Sequence, residues 1–297
     1  MHMKDRALIA VLVFVLVISI LQVGTDRLTN QEQKEVKQED KQVIRVMSEM
    51  ENQMAYEKAM ENETTETNSK YANLYPEMYV EKIVPIEHDK DQKIAYLSFD
   101  DGPSEYTMRI LEILKEKNAV ATFFILGANI DITKDGEEAL RQINEQGSAI
   151  GLHTFSHEKN DIYSSMESYM KDFNKVYNRV YEVTGKKPQI YRFPWGSYNK
   201  YCKGMKKELV TELDRRGFTY FDWNVSAEDS VGTPTASSII KNIMKDVKKY
   251  NEPVILMHDS KINKLTVEML PQIIDKLIEM GYSFGTLDER KPCQFCY

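Results

Sequence analysis

Cysteine is scarce in this 297-residue chain: Cys202, Cys293 and Cys296 are the whole complement. Three thiols cannot build a disulfide scaffold, so the fold must rest on a hydrophobic core, and any single bridge leaves one thiol over. Cys293 and Cys296 form a Cys-x-x-Cys at the extreme C-terminus. It lacks the second ligand pair of a zinc knuckle and the following helix of a redox motif, which leaves the 291–297 tail as a terminal staple or a pair of reduced thiols. Basic residues are outnumbered, 39 Lys and Arg against 46 Asp and Glu, for a net charge of −7. Nucleic-acid binding usually calls for a basic face, so no nucleic-acid partner is expected. Glycine-rich phosphate loops of the G-x-G-x-x-G or G-x-x-x-x-G-K kind are missing, which removes the support for a nucleotide cofactor. Histidine is limited to five.

One long apolar run is present. Ala7 to Val23 is interrupted only by Ser19 and Gln22, and Lys4 and Arg6 precede it. Its seventeen residues are at the short end of a spanning helix, and no small-x-small cleavage site follows. Residues 1–6 are therefore expected in the cytoplasm and 7–23 as an uncleaved transmembrane anchor, with the rest extracytoplasmic at the cell membrane. Residues 25–70 are rich in Glu, Gln, Lys, Asn and Thr, with neither Gly nor Pro from Thr25 to Tyr75. Val36, Val43, Ile44, Met47, Met50 and Met54 fall near one helical stripe, so 24–84 reads as a polar, partly helical stalk. Pro76 and Pro85 mark the approach to a folded domain.

From Lys93 short apolar runs alternate with amphipathic ones. Strands are expected over 94–99, 120–126, 148–152, 188–192, 218–223, 253–257 and 282–287, with helices over 106–118, 135–146, 162–183, 205–216, 234–250 and 266–280. Gly147, Gly185, Gly217 and Gly281 close four of the helices. Strand–helix alternation implies an α/β fold with parallel strands and right-handed crossovers, and uniformly apolar strands are covered on both faces. The polar residues choose between a barrel and a doubly wound sheet. Asp100-Asp101, His153, Arg192, Asp229 and His258 each stand at or just past a different strand end. In a parallel barrel those ends open on one face, so a distorted (β/α) barrel of about seven strands is expected.

His153 and His157 stand four apart after the strand Ala149-Ile-Gly-Leu152. Two neutral imidazoles and one carboxylate, with a position left for water, suit a divalent metal. Asp100-Asp101, before Gly102-Pro103, supplies such a carboxylate and a second one beside it.

These residues resemble a known family. Leu97-Ser-Phe-Asp-Asp-Gly-Pro-Ser104 is similar to the first motif of the polysaccharide deacetylases, the NodB-type carbohydrate esterases. His153-Thr-Phe-Ser-His157 resembles the second motif, Arg192-Phe-Pro-Trp195 the third, Asn224 to Ser230 the fourth and Ile255-Leu-Met-His258 the fifth. The resemblance runs in order over roughly residues 85–290, which sets the expected domain. Ser230 departs from it, because many members have Trp there, and this bears on substrate preference.

The resemblance implies a metal held by Asp101, His153 and His157. Zn is the first choice, and Co, Ni or Fe would suit the same donors. It also implies Asp100 as general base, Arg192 holding that base, His258 as general acid and Asp229 orienting His258. The Trp195 N–H is the implied oxyanion donor. Trp195, Tyr198 and Leu256 are the candidate substrate contacts, since aromatic rings suit pyranose faces. The activity implied is hydrolysis of N-acetyl groups on an N-acetylglucosamine polysaccharide, peptidoglycan in first place. A chitin-like oligomer or exopolysaccharide, an O-acetyl ester, or glycan binding without catalysis are the other readings. His2 and His88 carry no expected role.

Overall fold

The alternation of side chains along one strand sets up the molecule. In the computed structural model, which describes residues 71–89 and 91–294, β1 (Ile94–Gly102) runs through the middle of a parallel sheet. Its odd positions Ala95, Leu97 and Phe99 join the large apolar cluster that the helices cover. Its even positions Ile94 and Tyr96 join a separate cluster with Phe124, Ile190, Phe221, Val254 and Leu287. That second cluster fills the concave side of the sheet. A period of two thus sends one set to the helices and the other to the interior. Continued along β1, the interior parity reaches Ser98 and then Asp100.

The other strands are β2 (Ala121–Leu126), β3 (Ala149–Thr154), β4 (Ile190–Tyr191), β5 (Thr219–Tyr220), β6 (Val225–Ser226), β7 (Val254–His258) and β8 (Ser283–Phe284). The order is β5-β4-β3-β2-β1-β7-β6, with β8 on β1, and every pair is parallel. Neighbours in the sheet are therefore neighbours in the chain, except where β7 and β8 meet β1 and begin a ring. The ring is left open between β5 and β6. The expected fifth strand, 218–223, shortens to β5, which pairs with β4, and the unexpected β6 pairs with β7. The expected strand at 188–192 shortens to the two residues of β4.

Eight α-helices flank the described sheet: α1 (Thr107–Glu116), α2 (Gly127–Ile132), α3 (Gly136–Glu145), α4 (Lys159–Ile162), α5 (Met166–Thr184), α6 (Lys206–Arg215), α7 (Ala236–Asp246) and α8 (Lys264–Glu279). Helix α5 starts where the Ser165 hydroxyl accepts the Ser168 N–H, and it stops at left-handed Gly185. A reciprocal Thr235–Ser238 box starts α7. Helix α1 buries Ile110, Leu111, Ile113 and Leu114. Each such side chain contributes roughly 1.5–3 kcal/mol, less what the unfolded chain already buries. Helices α2 and α4 are absent from the expected set, because six and four residues are too short to show a period.

The segment 71–80, assigned to the linker from sequence, packs on this unit. Tyr71 and Met78 are buried. The fully buried Arg216 donates to the carbonyls of Tyr71, Leu74, Tyr75 and Met78 and pairs with Glu212 at 2.6 Å. The anchor at 7–23, the stalk up to residue 70 and Cys296 lie outside the described residues. Among the described residues no helix is long and apolar enough to cross a membrane. Cys293 is buried in the interior cluster, and its carbonyl accepts the Asp222 N–H, so the tail closes the floor of the sheet.

Candidate active site

Two carboxylates in a row cannot both face one side of a regular strand. At the end of β1 the register to β2 slips between Asp100 and Gly102, and Asp101 takes φ 73°. This bulge lets Asp101 follow Asp100 toward the same mouth. Gly102 has no side chain for a reason: a Cβ there would stand 2.6 Å from Asp259 Oδ2. The Asn129 amide donates to the Asp101 carbonyl at 2.7 Å and holds the turn.

His153 ends β3 on the interior parity, one strand-step beyond Gly151. A Cβ on Gly151 would lie 2.5 Å from the Phe124 ring. His153 Nδ1 lies 2.9 Å from the Arg192 carbonyl and can only donate to it. Its Nε2 faces Asp101 Oδ1 at 3.6 Å, and His157 Nε2 lies 3.7 Å from the same oxygen. Asp101 Oδ1 is buried with no hydrogen bond. The three donor atoms lie within 4.8 Å of one another. A buried carboxylate oxygen without a proton donor, facing two imidazole nitrogens, fits a divalent cation. Burial and then His153 push the His157 pKa down to about 4, against Asp101 and Asp100, so its imidazole is neutral at neutral pH. Thr154, His157 and Trp195 share the positive φ of Asp101, at 127°, 57° and 62°. Such backbone costs about 1–3 kcal/mol per residue and persists where surrounding bonds impose it. For the His loop the imposing group is Asp172 on α5, which accepts the N–H groups of Phe155 and Ser156.

Asp100 meets Arg192 at 2.8 Å, both buried. The guanidinium stacks on Phe124 at 4.1 Å and donates also to Ser98 Oγ and the carbonyls of Phe221 and Asp222. Burial works to raise the Asp100 pKa, yet Arg192, and after it His153 and His258, hold it below the usual carboxylate range. His258 stands opposite Asp100 in the β1–β7 register. Asp229 receives the His258 Nδ1–H at 2.8 Å, the His258 backbone N–H at 2.9 Å and the Thr266 hydroxyl at 2.7 Å. Burial works to lower the His258 pKa, but the hydrogen bond and charge of Asp229, with Asp100 and Asp101, raise it to about 9. At neutral pH the mouth thus holds an ionised carboxylate facing an imidazolium.

All seven polar candidates converge on this mouth. Of the three substrate candidates, Trp195 and Leu256 border it and Tyr198 does not. Trp195 meets His157 at 4.4 Å, tilted by 45°, and is 43% exposed. Leu256 is buried on β7, two residues before His258 and opposite Ser98. Tyr198 lies on the outer rim, 74% exposed under Lys206. A cleft of about 670 Å³ leads away from Asp101 and His157 between Pro103, Leu126, Ile132 and Ile262. Ser230 is exposed, and its hydroxyl accepts the Asn263 amide.

Three further carboxylates, unassigned from sequence, hold the loops of the mouth: Asp172, Asp222 and Asp259. Asp222 accepts the Ser197 N–H and hydroxyl and so fixes the turn after Trp195. Asp259 accepts the Ser104 and Thr107 hydroxyls, each at 2.5 Å, and its N–H donates to the Asp100 carbonyl. Only its position beside His258 could have signalled it.

The family model for polysaccharide deacetylase matches residues 87–212. A peptidoglycan-N-acetylglucosamine deacetylase of Bacillus cereus is 32% identical over 224 residues, covering 73% of this chain and 78% of the relative. The catalytic domain of a peptidoglycan N-acetylglucosamine deacetylase from Eubacterium rectale has a TM-score of 0.65 to this chain at 31% identity, covering 73% of this chain and 97% of its own. The polysaccharide deacetylase Bc1974 from Bacillus cereus gives 0.61 at 31% identity, over 69% and 97%.

Proposed function

Since the chain belongs to the polysaccharide deacetylase family and is a hydrolase of amide bonds, we propose that it removes acetyl groups from the N-acetylglucosamine of peptidoglycan, releasing acetate. The observation that carries the reading is the pair at the β1–β7 junction. Asp100 is held ionised by Arg192, and His258 is held protonated by Asp229. Amide hydrolysis needs that division: one group to take a proton from water, another to give one to the departing amine.

Asp101, His153 and His157 would hold a divalent metal, Zn first and Co, Ni or Fe after it. When bound, it supplies Lewis-acid polarisation of the acetyl carbonyl and a water of lowered pKa. Asp100 accepts the proton of the attacking water, and Arg192 fixes its orientation. The Trp195 N–H is placed in the reading as donor to the oxyanion. His258 gives its Nε2 proton to the sugar nitrogen as the C–N bond breaks. Asp229 keeps that proton in place through Nδ1. Trp195 and Leu256 wall the acetylated sugar, with Tyr198 farther out.

The apolar run at 7–23 with Lys4 and Arg6 before it supports a single-pass anchor and an extracytoplasmic catalytic unit. Protease accessibility in intact cells checks that placement. The activity is tested by acetate release from purified peptidoglycan, chitin oligomers and an O-acetylated glycan, with Zn or Co and with a chelator. Chelator-sensitive release from peptidoglycan, falling by about 100-fold or more in Asp100→Asn, is expected. Preference for the O-acetyl ester, or release indifferent to Asp100, overturns it.

A further inference from the structure

Between Phe193 and Lys207 the chain carries Lys200, Lys203, Lys206 and Lys207 and neither Asp nor Glu, in a molecule of net charge −7. This stretch forms one bank of the mouth. Trp195 meets His157 at a 45° tilt and Tyr201 edge-on at 5.5 Å, so a line of aromatic rings runs outward from the candidate metal donors. Lys159 of α4 and Lys200 both stand over the Tyr201 ring, at 5.3 and 5.4 Å, and Lys206 stands over Tyr198 at 4.0 Å. Lys206 is also bonded to the Ser197 hydroxyl. Lys82, Lys117, Lys249, Lys264 and Lys291 each pair with a carboxylate. Among the described residues Lys159 and Lys200 have no such pair within 4.0 Å, and both are exposed. Glu158 and Asp161, also exposed, are the acidic residues beside Lys159 in the chain. The bank across the mouth is neutral by comparison, with Lys134 and Lys261 set against Glu105 and Asp135.

Rings suit the C–H faces of a sugar, and the ammonium groups held above them by cation–π attraction carry a charge that a neutral polymer leaves unmatched. They suit carboxylates carried on substituents beside the sugar. We propose that the rim of Lys159, Lys200 and Tyr201 recognises the carboxylates of stem peptides, so that the preferred substrate is a peptide-bearing glycan and not a neutral one. This rests on the deacetylase reading above and names its substrate class.

The test compares glycan strands bearing stem peptides with the same strands stripped by an amidase. The zinc-loaded full chain is assayed for acetate release at low and high salt, and equilibrium binding of both glycans by the metal-free chain is measured beside it. Peptide-bearing strands are expected to have a KM lower by about tenfold at low salt, the advantage shrinking to about twofold at high salt as screening sets in. Lys159→Gln with Lys200→Gln is expected to remove about three- to tenfold of that advantage with kcat retained. The exposed positions put the fold at no risk. Equal KM values, salt-indifferent preference, a lysine effect of the same size on stripped strands, or a gain conferred by phosphate-bearing strands alone would each overturn the inference. If no glycan yields acetate, the deacetylase reading fails, and the binding ratio still decides this one.

Discussion

His258 and Asp100 differ in protonation because their partners differ, and the pH response follows. The folded-state pKa of His258 is raised to about 9 by Asp229, above the ordinary value of about 6.5. Its charge therefore stabilises the fold fully below about 6.5, and that contribution is lost as pH rises through about 9. In the metal-free protein the His258 ring should titrate near 9 by NMR. In Asp229→Asn it should fall toward or below 6.5, and the alkaline limb of kcat should move down with it. A limb that stays in place would remove His258 as the acid. Asp259 acts on the other side of the same junction. Ser104 Oγ and Thr107 Oγ1 accept the N–H groups of Tyr106 and Ser104, and both hydroxyls lie within donating distance of Asp259, Thr107 also of the Ser104 carbonyl. Asp259→Ala should therefore loosen the Asp100–Asp101 bulge and lower kcat by about 10–100-fold with little change in KM, since small misplacements cost that much. Ser104→Ala, which removes one bond, should give a smaller loss. Asp100, Asp101, His153 and His258 were legible as polar residues closing apolar runs and His157 by its spacing from His153, while the acid and base roles came from the family resemblance. Asp172, Asp222 and Asp259 were not legible, because a lone Asp within a helix or loop looks the same whether it faces water or caps a strained turn.

At the scale of elements, the apolar period located the helices that bury a continuous stripe, such as α1 and α5. It failed where hydrogen bonding to a different neighbour decides the structure. The strand expected over 218–223 pairs with β4 only at Thr219–Tyr220, and the short strand β6 that follows it on β7 is not among those expected. It failed likewise at 71–80, where the aromatic and aliphatic residues follow no helix or strand period and dock on one buried cation. Arg216 satisfies four carbonyls of that segment and Glu212 neutralises it. Glu212→Ala leaves the guanidinium buried without its anion and should destabilise the protein by about 3–5 kcal/mol in urea titration. Removing residues up to 80 should have a comparable effect and open the surface around Arg215 and Arg216 to proteolysis, whereas a truncation ending at residue 70 keeps the Arg216 contacts of the segment and should keep their stabilisation. Equal stability of the two truncations would show that the segment merely lies on the surface.

Across the whole molecule, the ring of strands is incomplete between β5 and β6, and no ladder crosses the gap. Arg192 spans part of that distance with its side chain, reaching from β4 to Asp100 on β1 and to the carbonyls of Phe221 and Asp222 between β5 and β6. The catalytic candidates are thus also members of the closure. The donors Asp101, His153 and His157 lie on β1, near the end of β3 and in the loop after it, with β2 between the two strands. A cation held by them would tie the mouth across three strands and remove the cost of the bare Asp101 oxygen. It binds the folded chain and not the unfolded one, so at one hundred times its dissociation constant it should add about 2.7 kcal/mol. For a unit of this size that corresponds to a rise in Tm of roughly 5–11 °C. Zinc titration followed by differential scanning calorimetry checks it, with chelator as the reverse step. His153→Ala and His157→Ala should each abolish most of the rise, while Lys200→Gln should keep it. A rise that survives both histidine substitutions would place the cation elsewhere, and the Asp101 oxygen would then need another explanation for standing buried without a proton donor.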